Sequence, residues 1–108
     1  INPATPVNVL EEVLDYIDGI NLLMVNPGFA GQKIVPSTLK KATKVAELLN
    51  REKREDITIE VDGNITLENA KILRNIGASI FVAGTSCLFK NGLNSYSENI
   101  RQLRNIIS

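Results

Sequence analysis

Asn21-Leu22-Leu23-Met24-Val25-Asn26-Pro27-Gly28 joins a continuous apolar run to a strong chain breaker. Two more short strands follow the same plan. Ile57, Ile59 and Val61 alternate with Thr58, Glu60 and Asp62 before Gly63-Asn64, and Ile80-Phe81-Val82-Ala83 is stopped by Gly84. Helical patterns lie around them. Val9, Val13 and Ile17 recur at four-residue spacing in a stretch from Val7 to about Ile17, with Leu10 and Tyr16 flanking that stripe. Pro36-Ser37-Thr38 opens a long helix with Leu39, Val45, Leu48 and Leu49 inside, and residues 50–56 form its solvated, charged end. Thr66 is an N-cap for a helix that buries Ala70, Ile72 and Leu73 and stops near Gly77. Ser95 or Ser97 opens a last helix through Ile100, Leu103 and Ile106-Ile107. The expected fold class is α/β, with parallel strands near 21–26, 57–62 and 79–83 buried on both faces. Such βα units build either half of a (β/α)8 barrel or half of an open doubly wound sheet. The unusual residues all follow the C-terminal ends of strands, which is where a barrel builds its active site.

Composition narrows the function. The 108 residues make one domain, with 44% hydrophobic and 22% charged residues, which argues against disorder. Twelve Lys and Arg against twelve Asp and Glu leave no net charge, which argues against nucleic acid and against a polybasic membrane contact. No apolar run approaches the roughly 18 residues of a membrane span. A single cysteine, Cys87, cannot form an internal disulfide and fits a reducing cytoplasm. There is no histidine, so neither a Ser-His-Asp triad nor a multi-histidine metal site can be built from this chain alone. The opening Ile1-Asn2-Pro3 reads as the middle of a longer protein.

The loops carry the candidate chemistry. Asn26-Pro27-Gly28-Phe29-Ala30-Gly31-Gln32 is a glycine-bearing loop leading to a helix: either a tight βα turn or a place where backbone N–H groups approach an anion. Gly84-Thr85-Ser86 repeats the choice after the third strand, between a helix cap and a phosphate site. Asp62 ends a strand whose Ile/Val face suits the helices, so Asp62 points into the mouth. A carboxylate there can bind a metal, move a proton or cap the next turn. Glu60 lies deeper on the same face and reads as a buried structural carboxylate needing a partner. Cys87 reads as a small buried residue, and Met24 as strand filler that could line a pocket.

These residues together resemble the ribulose-phosphate 3-epimerase family. Val25 to Lys33 resembles its loop after strand six, Glu60-Val61-Asp62-Gly63 its strand-seven motif, Val82 to Ser86 its strand-eight phosphate motif, and Asn2 to Pro6 its segment after strand five. The resemblance covers essentially all of residues 1–108 as a single-domain fragment, roughly βα units 5/6 to 8 of the barrel. It implies an isomerase of carbohydrate metabolism, in the pentose phosphate pathway, that inverts C3 of a ketose phosphate through a cis-enediolate. Asp62 would be both acid/base and metal ligand. Gly28, Phe29, Ala30 and Gly31 would line the substrate loop, and Gly63, Asn64, Gly84 and Thr85 the phosphate cradle. One divalent metal (Zn, Fe, Mn or Co) is implied, its other ligands coming from the N-terminal half. A ketose phosphate partner and a cytoplasmic homo-oligomer are implied for the intact protein.

Departures from the family pattern shape the alternatives. Asn64 replaces a usual glycine, Ala30 a frequent one, and Thr85-Ser86-Cys87 a small Ser/Ala pattern. All three resemble the branch that includes allulose-6-phosphate 3-epimerase. Either Leu23 or Met24 could stand where the family has its strand-six methionine. The expected activity is conversion of D-ribulose 5-phosphate to D-xylulose 5-phosphate by the intact protein, with the fragment alone inactive. The alternatives are a hexulose-phosphate epimerase, or a non-catalytic sugar-phosphate-binding half-barrel.

Overall fold

The computed structural model describes residues 1–26, 33–83 and 96–108, with the side chain of Tyr96 excepted. The elements in chain order are two 3-10 turns, Val7–Leu10 and Leu14–Tyr16, then β1 (Gly19–Leu23), α1 (Ser37–Arg51), β2 (Thr58–Asp62), α2 (Leu67–Ile76), β3 (Ile80–Phe81) and α3 (Tyr96–Ile107). The strands form one parallel sheet in the order β1-β2-β3. Gly19 pairs with Thr58 and Leu23 with Asp62, while Glu60 pairs with Ile80.

Period-two alternation sets the two faces of the sheet. Ile20, Leu22, Ile59 and Val61 are buried against the helices. Asn21, Leu23, Glu60, Asp62, Ile80 and Val82 occupy the other face, where all are half-buried or exposed. The strands are expected to be buried on both faces, and among the described residues only the helix side is covered. β1 also starts two residues earlier than the expected 21–26. Its span is fixed by pairing with Thr58–Asp62, and Gly19, which lacks a side chain to show on either face, gives no apolar signal. The ladder runs one residue past β1, since the Met24 N–H donates to the Asp62 carbonyl at 2.8 Å. β3 is short, but Ser79 and Val82 N–H groups bond the Ile59 and Val61 carbonyls, extending its pairing over most of the expected 79–83.

The helices follow the apolar period with two corrections. α1 buries Thr38, Ala42, Val45, Leu48 and Leu49, one stripe at three- and four-residue steps. In α2 the buried face is Ala70 and Leu73, and Ile72 is 44% exposed rather than inside. Thr66 caps α2, its Oγ1 accepting from the Asn69 N–H at 3.1 Å, and Gly77 ends it at φ 137°. The expected helix over 7–17 is instead two 3-10 turns, with Leu10 and Leu14 buried while Val9 and Val13 face outward. Both stripes have four-residue spacing, and the one carrying the longer side chains took the core. A leucine buries one methylene more than a valine, worth about 0.8 kcal/mol each, which favours the Leu10/Leu14 stripe.

Two charged side chains, Lys41 in α1 and Arg54 just past its end, tie the segment before β1 to this helix. Lys41 Nζ donates to the Asn2, Pro3 and Thr5 carbonyls at 2.9, 2.8 and 2.5 Å. Arg54 donates to the Leu14 carbonyl and pairs with Asp15 and Asp56 at 3.1 and 3.0 Å. The charged end of α1 is thus partly a staple: Lys53 adopts φ 56° so that Arg54 can turn back toward residues 14–15.

Candidate active site

Asp62 is the last residue of β2, half-buried, on the sheet face opposite Ile59 and Val61. The alternation read from sequence is the alternation observed. Leu23 is its register partner on β1 and sits beside it on the open face. Met24 is 0% exposed and belongs to the core on the helix side. Leu23, then, is the strand residue that borders the carboxylate, and Met24 is strand filler.

The turn after Asp62 is built for close approach. Gly63 has φ 99°, and a Cβ there would lie 2.9 Å from Val25 Cγ2 and 3.2 Å from the Val25 nitrogen. Both the conformation and the space require glycine. Asn64 follows at φ 48°, in the left-handed region that Asn tolerates better than most residues. The chain thereby folds sharply over the C-terminal end of β2 and presses against β1, leaving Asp62 at the rim. Ile65, 2% exposed, anchors the far side of the turn.

One rung below, Glu60 accepts a hydrogen bond from the Asn21 carboxamide on β1. Glu60 is half-buried rather than buried, and this carboxamide is the partner it needs. Its signal in the sequence is Asn21, the single polar residue between Ile20 and Leu22. The Lys41 clasp left no local signal at all, because its carbonyl partners lie 36 to 39 residues away. Burial, then the nearby Lys44 charge, holds the Lys41 ammonium below its ordinary pKa. Its three carbonyl partners keep the ammonium in place, and residues 2–5 are fixed at the same end of the sheet as Asp62.

Other expected site residues lie outside the described residues: Gly28, Phe29, Ala30 and Gly31 of the loop after β1, and Gly84, Thr85, Ser86 and Cys87 after β3. Ser95, an expected cap of α3, does so as well. Asp62, Gly63 and Asn64 are brought together at one strand end. The loop after β1 leaves from Asn26, close by, since Val25 touches Gly63. Among the described residues no group of three or more His, Cys, Asp or Glu side chains could hold a metal ion. Asp62 fits a metal as one oxygen donor at an open rim. No helix among the described residues is long and apolar enough to cross a membrane.

A parallel βα sheet with a carboxylate and a forced glycine turn at its strand C-termini is the layout of an α/β-barrel enzyme. Half of a doubly wound sheet would share this local order, and comparison with known proteins decides between them. The chain belongs to the ribulose-phosphate 3 epimerase family, whose model matches residues 1–89, and it carries part of that family's (β/α)8 barrel. It is 47% identical over 107 residues to a ribulose-phosphate 3-epimerase of Buchnera aphidicola subsp. Baizongia pistaciae, covering 99% of this chain and 45% of that protein. Ribulose-phosphate 3-epimerases of Bacillus subtilis and Escherichia coli K12 are 42% and 44% identical over 86 and 85 residues, covering 80% and 79% of this chain. Those matches span 40% and 37% of the relatives' own lengths, so the chain spans less than half of the curated proteins it matches.

Proposed function

We propose that residues 1–108 form βα units 5/6 to 8 of a ribulose-phosphate 3-epimerase, and that Asp62 is the acid/base on one face of the sugar. The observation that carries this reading is Asp62 itself, at the C-terminal end of β2, on the open face, beside a turn that only glycine fits. The family match supports it.

The reaction is inversion at C3 of D-ribulose 5-phosphate to D-xylulose 5-phosphate. A carboxylate within reach of C3 takes its proton, leaving a cis-enediolate, and an acid on the opposite face returns one. Asp62 fills one of these roles. The other comes from outside the described residues. Backbone N–H groups around Gly63-Asn64 and Gly84-Thr85 hold the phosphate, and Gly28 to Gly31 cover the substrate. A divalent metal bound through Asp62 would stabilise negative charge on the substrate oxygens. With one acidic donor here, the remaining ligands belong to the rest of the barrel and these residues alone are inactive. The intact protein is read as a cytoplasmic homo-oligomer.

Solvent deuterium incorporation at C3, followed by NMR on the full-length barrel with a divalent metal, tests the reading. Ribulose 5-phosphate and allulose 6-phosphate go in separate tubes. Exchange with ribulose 5-phosphate supports the proposal, and exchange only with allulose 6-phosphate assigns the hexulose branch. Silence in both, with phosphate-ester binding retained, replaces the enzyme with a sugar-phosphate-binding module. Stoichiometric metal and turnover by residues 1–108 alone would overturn the claim of inactivity.

A further inference from the structure

The two clasps on α1 are of one kind but lie at opposite ends of the sheet. Because β1 and β2 are parallel, α1 runs back between them against the strand direction. Half-buried Arg54, just past the end of α1, donates to the Leu14 carbonyl at 3.2 Å, near the N-terminal ends of the strands. Half-buried Lys41, near the start of α1, holds the Asn2, Pro3 and Thr5 carbonyls at the C-terminal ends, where Asp62 stands. In a (β/α)8 barrel the C-terminal end carries the chemistry and the other end serves stability.

The Lys41 clasp also closes a ring of bonds at the rim. The Met24 N–H donates to the Asp62 carbonyl at 2.8 Å, and the Met24 carbonyl accepts from the Val35 N–H at 2.7 Å. The Val35 carbonyl in turn accepts from the Thr38 N–H at 2.9 Å, in the first turn of α1. Lys41 lies one turn further on and reaches residues 2–5. Ile1, directly before them, accepts from the Leu23 N–H at 2.8 Å, and Leu23 is the register partner of Asp62. Within the segment, the Ala4 N–H bonds Asn2 Oδ1 at 2.9 Å and the Thr5 N–H bonds the Asn2 carbonyl at 3.0 Å. Those bonds set the segment's shape, and the three from Lys41 set its place against α1.

We propose that Lys41 is a positioning residue for the epimerisation: by holding residues 2–5 against α1, it keeps the Leu23 side of the rim in place beside Asp62. The inference rests on the reading of Asp62 as the acid/base. Lys41 touches no reacting atom in this role and acts through residues 2–5, Ile1 and Leu23. A misplacement of roughly 1 Å, caused by a change remote from the chemistry, can cost about 100-fold in rate. Arg54 makes a clasp of the same kind at the far end and has no such role.

The test compares Lys41→Met with Arg54→Met in the full-length barrel with a divalent metal. Steady-state deuterium exchange at C3 of ribulose 5-phosphate gives kcat and KM, at a temperature where circular dichroism shows each variant folded. Lys41→Met should lower kcat roughly 10- to 100-fold and leave KM within about two-fold of wild type. Arg54→Met should lower the melting temperature yet leave kcat and KM within about two-fold. A merely structural Lys41 would lose stability as Arg54 does and keep its kcat. Lys41→Gln, with two donors on a shorter stem, takes the place of Lys41→Met if that variant does not fold, and the same fall in kcat is expected. An unchanged kcat in the Lys41 variant, an equal fall in Arg54→Met, or an effect on KM alone would each overturn the inference while the Asp62 reading stands. Absence of exchange in the wild-type protein would overturn that reading, and this inference with it.

Discussion

The Asn21 carboxamide donates a hydrogen bond to the Glu60 carboxylate across the β1–β2 ladder, one rung below the pair Leu23 and Asp62. It satisfies a carboxylate that the closed barrel would carry into its interior, where an unpartnered charge is strongly disfavoured. Asn21→Leu should therefore destabilise the chain by about 0.5–1.5 kcal/mol, the net worth of an exposed hydrogen bond. Asn21→Leu with Glu60→Leu removes both polar groups and should recover most of that loss. Urea denaturation of the two single variants and the double closes the cycle, and additive losses would show that the two side chains do not interact.

Gly63 is the tightest point of the candidate site. Gly63→Ala puts a methyl group 2.9 Å from Val25 Cγ2 at φ 99°, so steric and conformational penalties act together. A loss of about 2–4 kcal/mol is expected. Asn64→Gly at φ 48° carries no backbone penalty, since glycine accepts that conformation freely, so any loss there reports the Asn64 side chain's own interaction. Thermal unfolding of both variants separates the two residues, and a tolerant Gly63 would remove the argument that β1 and the turn are pressed together.

What the sequence disclosed, and what it hid, follows from the range of the forces involved. Asp62 and Thr66 were legible because strand alternation and helix capping act within a few residues. The exposure of Ile72 and the choice of Leu10 and Leu14 over Val9 and Val13 were not legible. Each depends on which side of a helical segment meets the sheet, and four-residue spacing alone allows either. The Asn21–Glu60 pair and the Lys41 clasp span 39 and 36–39 residues, beyond any local pattern. The family resemblance supplied the barrel, which neither composition nor periodicity could distinguish from a doubly wound sheet.

Lys41 joins the segment after Ile1 to the first turns of α1 through three carbonyls. Lys41→Met keeps the aliphatic stem and removes the charge. Loosening of residues 2–5 is expected, with a stability loss of about 1–3 kcal/mol. Amide hydrogen exchange at Thr5, whose N–H donates to the Asn2 carbonyl at 3.0 Å, should speed up markedly. Unchanged protection there would mean that the 3-10 turns alone hold the segment.

Arg54 makes a pH-dependent contribution through Asp56. The hydrogen bond from Arg54, then its charge, holds the Asp56 carboxyl below its ordinary value of 3.8. A carboxylate with a depressed folded-state pKa contributes stability that is complete above the unfolded value and is lost as pH falls through the folded one. Stability should therefore drop below about pH 4, and Asp56→Asn should flatten part of that drop while leaving the neutral-pH side alone. Both carboxylates facing Arg54 are exposed, so the effect is modest and shrinks in high salt. Chemical denaturation from pH 2.5 to 7 in low and high salt reads it directly, and an identical pH profile for Asp56→Asn would remove Asp56 from the account.

Asp62 can be separated from the scaffold because its side chain stands at an open rim. Val61 and Ile65 on either side of it are the buried anchors, at 0% and 2% exposure. Asp62→Asn keeps size and hydrogen-bonding shape but cannot take a proton at neutral pH. In the full-length barrel it should lower C3 exchange by about 100- to 10,000-fold, the range for loss of a positioned acid/base. Stability should move by less than about 1 kcal/mol, because no core contact is lost. Asp62→Glu tests placement instead of charge: the carboxylate survives, but an extra methylene moves it roughly 1 Å or more, which can cost about 100-fold in rate. Exchange in Asp62→Asn at the wild-type rate would hand the proton transfer to another residue and leave Asp62 as the cap of the turn that Gly63 begins.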